Sequence, residues 1–296
     1  MEKNNGNTYI INGDCEIILK TLNNEIPNVL PIDCTFLDPP FNQGKEYVDH
    51  DDNQPPEQYW NWMLNICNNI YSVTSKGGCV FFMHREKNLD QVLQCLRDSS
   101  WIFQNLIIWK KRTSAIPQSF RFNKQYQIIV FATKGEKPRV FNKLKIDMPL
   151  EDDSKLERED WLHVTDVWDD IKELTSGYFA GKEALRQKVT GERLHKQQSP
   201  ISLLLRIILA TTRIGDKVLD PFAGSGTTNV VASQLERISI GIEKNQINYE
   251  LIKHRLDQKR HADSIMQYYD YYRYTDNIKE IWQGNAKNKQ MQKALF

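Results

Sequence analysis

Long apolar runs are missing from this chain of 296 residues. None approaches the roughly 20 residues that a membrane-crossing helix requires, so a spanning protein is excluded. The opening "MEKNNGNTYI" lacks the apolar stretch of a secretory signal, and a cytoplasmic location is expected. Paired cysteine spacing is also lacking. Cys15, Cys34, Cys67, Cys79 and Cys95 form no C-x-x-C, which argues against a structural zinc site or a disulfide framework and for reduced, mostly buried thiols. Internal repeats and low-complexity segments are absent. The net charge is only +1, so whole-chain electrostatics does not point to a polyanion. Two nucleotide signatures are missing as well. The one glycine-rich turn after a strand has Asn229 where G-x-G-x-x-G needs its third glycine, and it carries no lysine where a P-loop needs G-K-[ST].

What is present is a repeated strand and helix pattern. "NTYIINGDC", "PIDCTFLDPPF" and "DKVLDPFAGSGTT" each run apolar into an acid, Asp14, Asp38 and Asp220. Between the first two, "EIILKTL" has the spacing of a short helix. "EQYWNWMLNICNNIYSVT" places Trp60, Leu64, Cys67 and Tyr71 on one helical face before "GGCVFFMH" resumes a strand. "WIFQNLIIWKK" and "YQIIVFATKG" read as two further strands. Ser199 is the expected N-cap of "ISLLLRIILATT", with Pro200 at the first helical position and Ile201, Leu204, Leu205 and Ile208 on one face. "RISIGIE" and "NYELIKHRLDQ" supply a last strand and helix. The pattern predicts an α/β fold, a doubly wound, mostly parallel sheet with helices on both faces. Four regions are expected: 1–133, an inserted region 134–192, 193–260, and an extension 261–296 whose "YYDYYRY" has no period and suggests packing or a dimer contact.

Two stretches carry chemistry. In "CTFLDPPFNQG", Asp38 runs straight into Pro39, Pro40 and Phe41. Proline has no amide hydrogen and biases the preceding residue to extended geometry, so this segment leaves its strand as a stiff ledge offering a carboxylate, uncommitted carbonyls and an aromatic face. The polar "NQGKEYVDHDDNQPP" that follows is long enough to be a functional loop. In "VLDPFAGSGTT", Gly224 and Gly226 allow the backbone to pass close to a ligand. Glu243, ending "ISIGIE", is placed to accept hydrogen bonds from ribose hydroxyls. An adenosyl ligand without phosphates satisfies these features. Ligands of open parallel sheets bind outside the carboxyl ends of the strands, where Asp14, Asp38, Asp220 and Glu243 are all predicted to lie.

"DPFAGSGTT" resembles the S-adenosylmethionine motif of amino-group DNA methyltransferases, and "DPPF" resembles their catalytic D-P-P-[YF] motif. With the catalytic motif first and an irregular segment between, the chain resembles the β-class arrangement with a Rossmann-like methyltransferase fold and an inserted target-recognition region. The resemblance implies S-adenosylmethionine as cofactor, bound by Asp14, Asp220, Phe222, Gly224, Ser225, Gly226, Thr227 and Glu243, with Asp14 at the adenine and Glu243 at the ribose. "HKQQSP" is similar to the H-P-T-Q-K-P segment flanking the methionine end and departs from it at Lys196 and Ser199. The implied catalytic residues are Asp38, Pro39, Pro40 and Phe41. Aspartate at the first motif position favours N6-adenine over N4-cytosine. Carbon-5 methylation would need a cysteine nucleophile in a Pro-Cys context, which does not occur, and no metal is required by the chemistry.

The partner implied is double-stranded DNA, with the target base flipped out of the helix. Charge distribution agrees. From Lys110 to Lys145 basic residues face the single acid Glu136, and Phe120, Phe122 and Tyr126 are interleaved. Lys110, Lys111, Arg112, Arg121 and Lys124 are the candidate phosphate contacts. The resemblance leaves room for a homodimer and for a companion restriction endonuclease, and no membrane. RNA or protein-glutamine methyltransferases usually place the cofactor motif first. A DNA-binding protein without catalysis would not need intact Asp38, Gly224, Gly226 and Glu243.

Overall fold

The computed structural model describes residues 2–4, 7–44, 51–111, 119–147, 161–174, 181–187, 189–195 and 197–283. Along the chain come β1 (Glu2–Asn4), β2 (Thr8–Asn12), α1 (Cys15–Glu25), β3 (Ile32–Leu37), α2 (Pro56–Val73), β4 (Thr74–His84), α3 (Leu89–Asp98), β5 (Ile102–Lys110), β6 (Tyr126–Thr133), β7 (Lys145–Asp147), β8 (Trp161–His163), β9 (Val167–Trp168), α4 (Ile201–Thr211), β10 (Lys217–Asp220), α5 (Thr227–Gln234), β11 (Ile238–Glu243), α6 (Gln246–Asp257) and α7 (Ile278–Trp282). The main sheet has the order β1-β2-β11-β10-β3-β4-β6-β5-β9. Its centre, β2-β11-β10-β3-β4, is parallel, while β6 runs antiparallel to both β4 and β5. No helix among the described residues is long and apolar enough to cross a membrane.

Both faces of the sheet are covered, which explains why the central strands read as continuous apolar runs. In β4, Cys79, Phe81 and Met83 point into a core shared with α4, α5 and the C-terminal extension. Val80 and Phe82 point the other way, into a core built on α1, α2 and α3. The chain leaves β3 through α2 towards β4 on one side, and leaves β10 through α5 towards β11 on the other. A crevice therefore opens between the carboxyl ends of β3 and β10, the topological switch point at which such sheets bind ligands.

Three expectations are corrected. The buried stripe of α2 is Tyr59, Met63, Ile66, Ile70 and Val73 with Cys67, whereas Trp60, Leu64 and Tyr71 are only half-buried at its margin. Both faces are apolar enough to pass the spacing test, and packing against α1 and α3 selects between them. Helix α4 begins at Ile201 with Pro200 as its cap, and Ser199 makes no capping bond. The Ile201 amide donates instead to Glu183 Oε1 at 2.6 Å, so a carboxylate from a distant segment occupies the helix N-terminus. Finally, α4 has no single buried face: Leu203, Ile207 and Leu209 are as buried as Leu204, Leu205 and Ile208.

The C-terminal extension covers the other side of α4. Ile265, Tyr272, Ile278, Ile281 and Trp282 enter the same core. Within it Arg206 of α4 is sealed, pairing with Asp170 and donating from Nε to the Tyr272 hydroxyl at 3.1 Å. The Tyr271 hydroxyl donates to Asp170 Oδ2 at 2.8 Å. The tyrosine-rich run thus has no period because it supplies single anchors along an irregular chain of short 3-10 turns.

Candidate active site

Asp38 emerges one residue beyond β3 and Asp220 closes β10, on the two sides of the crevice. With Asp14, the ledge, the glycine turn and Glu243 they line one cleft of about 1630 Å³. Pockets for one small ligand span roughly 300–1,000 Å³, so this cleft has room for a cofactor and an extruded base together. All four acids, separated by more than two hundred residues of chain, are brought to one rim.

The ledge is held from behind. The Tyr59 hydroxyl, presented by the first turns of α2, donates to the Pro40 carbonyl at 2.6 Å. It lies 3.0 Å from His84 Nε2. His84 Nδ1 accepts from the Arg85 amide at 2.9 Å, so the imidazole proton sits on Nε2 and points to Tyr59. Burial, reinforced by Arg85 and Lys87, pushes the His84 pKa down to about 3, and the ring stays neutral. Its ring packs at a 40° tilt against Phe41, with ring centroids 4.8 Å apart. From the opposite wall, Ser199 Oγ reaches Asp38 Oδ2 at 3.4 Å. The serine expected to cap α4 is therefore turned to the ledge. Beyond the ledge, Asp52 accepts the amides of Asn42 at 2.8 Å and Gln43 at 3.1 Å, pinning the start of the long loop to its far end; residues 45–50 of that loop lie outside the described residues.

The glycine turn is equally braced. Gly224 and Gly226 have φ of 54° and 74°, a region that favours glycine. A Cβ on Gly226 would meet the Ile252 side chain at 2.7 Å, and one on Gly224 would stand 3.2 Å from His195 Nε2. Glu243 accepts from the Gly224 amide at 2.7 Å through Oε2 and from the Asn245 amide at 2.8 Å through Oε1. Beneath the turn, Arg255 of α6 donates to the Ser225 carbonyl at 2.9 Å and Thr227 Oγ1 at 3.0 Å, and pairs with buried Asp263. Asp14 caps α1, accepting from the Glu16 amide at 2.9 Å, and its other oxygen pairs with Lys244 at 3.0 Å. Phe222 meets Trp62 edge to face at 5.7 Å.

Asp220 lines the floor of the cleft and is largely buried. It is 3% exposed, takes the Phe222 amide at 3.1 Å and holds the Thr228 hydroxyl. Burial, with the Glu243 charge adding to it, raises its pKa from 3.8 to about 7. A carboxyl raised in the folded state contributes stability that is fully present below its unfolded pKa and is lost as pH rises through the folded value. Unfolding free energy is accordingly expected to fall progressively from about pH 4 to about pH 7 and to level off above that, and Asp220→Asn, which cannot ionise, to flatten that fall in urea titrations.

The candidate DNA contacts divide. Strand registers Lys110↔Tyr126 and His84↔Ile128 place Lys111 and residues 119–125 at the same carboxyl edge as Asp38. Phe120 and Phe122 there are 100% and 98% exposed, with exposed Arg121 between them. Lys110 is exposed beside Asp169 at 4.0 Å, and Lys124 is engaged by Glu86. Lys111 turns inward. It lines the cleft with its ammonium 5.2 Å from the Trp109 ring centroid. Burial pulls its pKa below the ordinary lysine range, against the raising charges of Glu173, Asp38 and Glu86. Arg112 lies outside the described residues. Sequence reasoning missed Tyr59, His84, Arg193 and Arg255, for which no local pattern stands out; their roles come from partners far away in the chain.

Comparison with known proteins gives the arrangement a setting. A model of the N6/N4 methyltransferase family, described as "DNA methylase", matches residues 32–254. Over 253 residues the chain is 30% identical to the type II methyltransferase M.HpaI of Haemophilus parainfluenzae, covering 85% of this chain and 76% of that protein. It is 29% identical over 264 residues to the DNA adenine methyltransferase YhdJ of Escherichia coli K12, covering 85% and 83%. Among solved structures, the cytosine-N4-specific PvuII DNA methyltransferase shares the fold with a TM-score of 0.63 at 16% identity, over 94% of each chain.

Proposed function

The chain belongs to the N6/N4 family of amino-group DNA methyltransferases, which use S-adenosylmethionine, and on that footing we propose that it methylates the N6 amine of adenine in a flipped-out base. The observation that carries this reading is the Asp38 ledge held across the crevice from the glycine turn. The cleft's residues fit the cofactor. A turn with no room for side chains, a carboxylate bound to its backbone at Glu243, and the Phe222 ring suit an uncharged adenosyl group, and they would hold it against β10 and β11. Bound there, S-adenosylmethionine supplies an electrophilic methyl group on a sulfonium centre.

The chain's own residues do the rest. An exocyclic amine is a poor nucleophile because its lone pair is delocalised into the ring. The Asp38 carboxylate and the Pro39 carbonyl accept hydrogen bonds from its two N–H groups, favour a pyramidal nitrogen and stabilise the positive charge that builds on it as the N–C bond forms and the sulfonium S–C bond breaks. The nitrogen then gives up one proton to solvent. Phe41 stacks on the extruded base, offsetting lost stacking in the duplex. The Tyr59–His84 pair and Ser199 keep ledge and carboxylate oriented. Arg121, Lys110, Phe120 and Phe122, at the cleft's edge, contact the DNA on either side of the target.

Adenine is favoured by aspartate at the first motif position and by the likeness to YhdJ. The test is incubation of the purified protein with unmethylated DNA and labelled S-adenosylmethionine, then nucleoside digestion and mass spectrometry. N6-methyladenine is the expected product. N4-methylcytosine would overturn the base assignment and keep the ledge chemistry; an absence of any methylated nucleoside while the cofactor binds would overturn the substrate.

A further inference from the structure

A short hairpin forms one wall of the cleft just before α4. Its strands are joined by Leu194 N donating to Leu185 O at 2.9 Å and Gln187 N donating to Glu192 O at 2.8 Å, with Arg186 opposite Arg193. The hairpin carries Arg193 into the lining of the cleft. There its Nε and Nη2 are buried and have no hydrogen-bond partner. Buried guanidinium donors are costly to leave unmade, and a native structure almost always satisfies them. Arg186, facing it across the hairpin, adds a second positive charge, so the spot selects for an anion. The other buried arginine near the glycine turn, Arg255, is already taken by Asp263, Ser225 and Thr227.

The place of Arg193 narrows the choice of anion. Two residues on, His195 stands against the glycine turn, 3.2 Å from where a Gly224 Cβ would be, and its Nδ1 is likewise buried without a partner. The wall's unsatisfied polar groups thus flank the turn rather than the solvent-facing edge that carries Arg121, Phe120 and Phe122. The motif's own lysine is also replaced in the segment that follows: position 199, lysine in the motif it resembles, is a serine turned to Asp38. A planar, two-oxygen anion suits the fork of Nε and Nη2. The cofactor contains one such group.

We propose that Arg193 binds the α-carboxylate of the cofactor's methionyl arm, a reading that rests on S-adenosylmethionine occupying this cleft. It makes Arg193 the residue that distinguishes the full cofactor from adenosyl compounds without the amino-acid arm.

Calorimetric titration with S-adenosylhomocysteine and with 5′-methylthioadenosine, which lacks that arm, tests it on the intact protein, Arg193→Met and Arg193→Lys. Arg193→Met is expected to weaken S-adenosylhomocysteine about 10- to 100-fold, the range for a charge-assisted hydrogen-bonded pair, and to leave 5′-methylthioadenosine within about twofold. Arg193→Lys should recover part of the loss. Equal weakening of both ligands would make Arg193 a structural residue and overturn the proposal, as would unchanged binding of both. A flattened salt dependence of DNA binding with S-adenosylhomocysteine unaffected would assign the guanidinium to a phosphate instead. If the unaltered protein binds neither compound, the cofactor reading of the cleft falls, and the proposal with it.

Discussion

Asp38→Ala is expected to abolish measurable methyl transfer while S-adenosylmethionine still binds within about threefold of normal. The substitution removes an acceptor that acts on the amine as charge develops, and losing one such preorganised group typically costs about 10²- to 10³-fold in turnover. Here the cost belongs at the upper end, because without the carboxylate nothing but the Pro39 carbonyl opposes delocalisation of the lone pair. Binding should survive because the glycine turn is braced by bonds from Glu243 and Arg255 that Asp38 does not make. Single-turnover methylation and calorimetry on one preparation separate the two quantities. Normal turnover would end the ledge mechanism. Tyr59→Phe makes a graded companion. It removes the donor to the Pro40 carbonyl and leaves the ring in place, a loss of about 1 kcal/mol in orientation, read as a lower kcat with unchanged cofactor affinity.

The second large effect is on stability. Arg255→Met is expected to destabilise the fold by about 3 kcal/mol, measured as a lowered urea midpoint, because it leaves Asp263 short of a partner in the interior. Arg255 and Asp263 are 2% and 0% exposed, and the pair's Nη2 to Oδ1 distance is 2.7 Å. Asp263 keeps Arg260, which donates to both its oxygens, and this places the loss at the lower end of the range for broken buried pairs. Asp263 holds its charge in the native state. Burial alone would raise its pKa, but Arg260 and Arg255 together lower it. The double variant Arg255→Met, Asp263→Leu removes both charges and should regain part of the stability. Since Arg255 also holds the Ser225 carbonyl and Thr227, the single variant should bind S-adenosylhomocysteine more weakly even where it remains folded. A midpoint unchanged from the parent protein would show that water or relaxation replaces the arginine.

Much of the architecture was legible because it depends on short-range rules. Apolar runs and period-3.6 spacing located β2, β3, β4, β5, β6, β10, β11 and the helices α1, α2, α4 and α6, and the pull of proline and glycine on backbone angles marked the ledge and the turn, whereas α3 was not foreseen. Where two faces of one helix were both apolar, as in α2, spacing could not choose. The choice of Tyr59, Met63 and Ile66 over Trp60 and Leu64 was made by the neighbouring helices. In α4 the apolar stripe extends all round, which betrays a second covering layer, but nothing in "YYDYYRY" says that it is the cover.

The site divides along the same line. Sequence by itself determined the chemical kinds: a carboxylate on a proline ledge, a glycine turn without phosphate-binding features and an acid ending the next strand, whose motifs resemble those of amino-group methyltransferases. These follow from residues adjacent in the chain, whose effects on the backbone are local. Only the tertiary structure decided that Ser199 orients Asp38 and does not cap α4. It decided too that Lys111 faces the cleft while Lys110 faces solvent, that Asp220 is a buried brace, and that Arg193 carries unmet hydrogen-bond donors in the cleft wall. Each depends on which distant groups share a few ångströms of space, and desolvation and hydrogen-bond satisfaction act only once the sheet has brought those groups together.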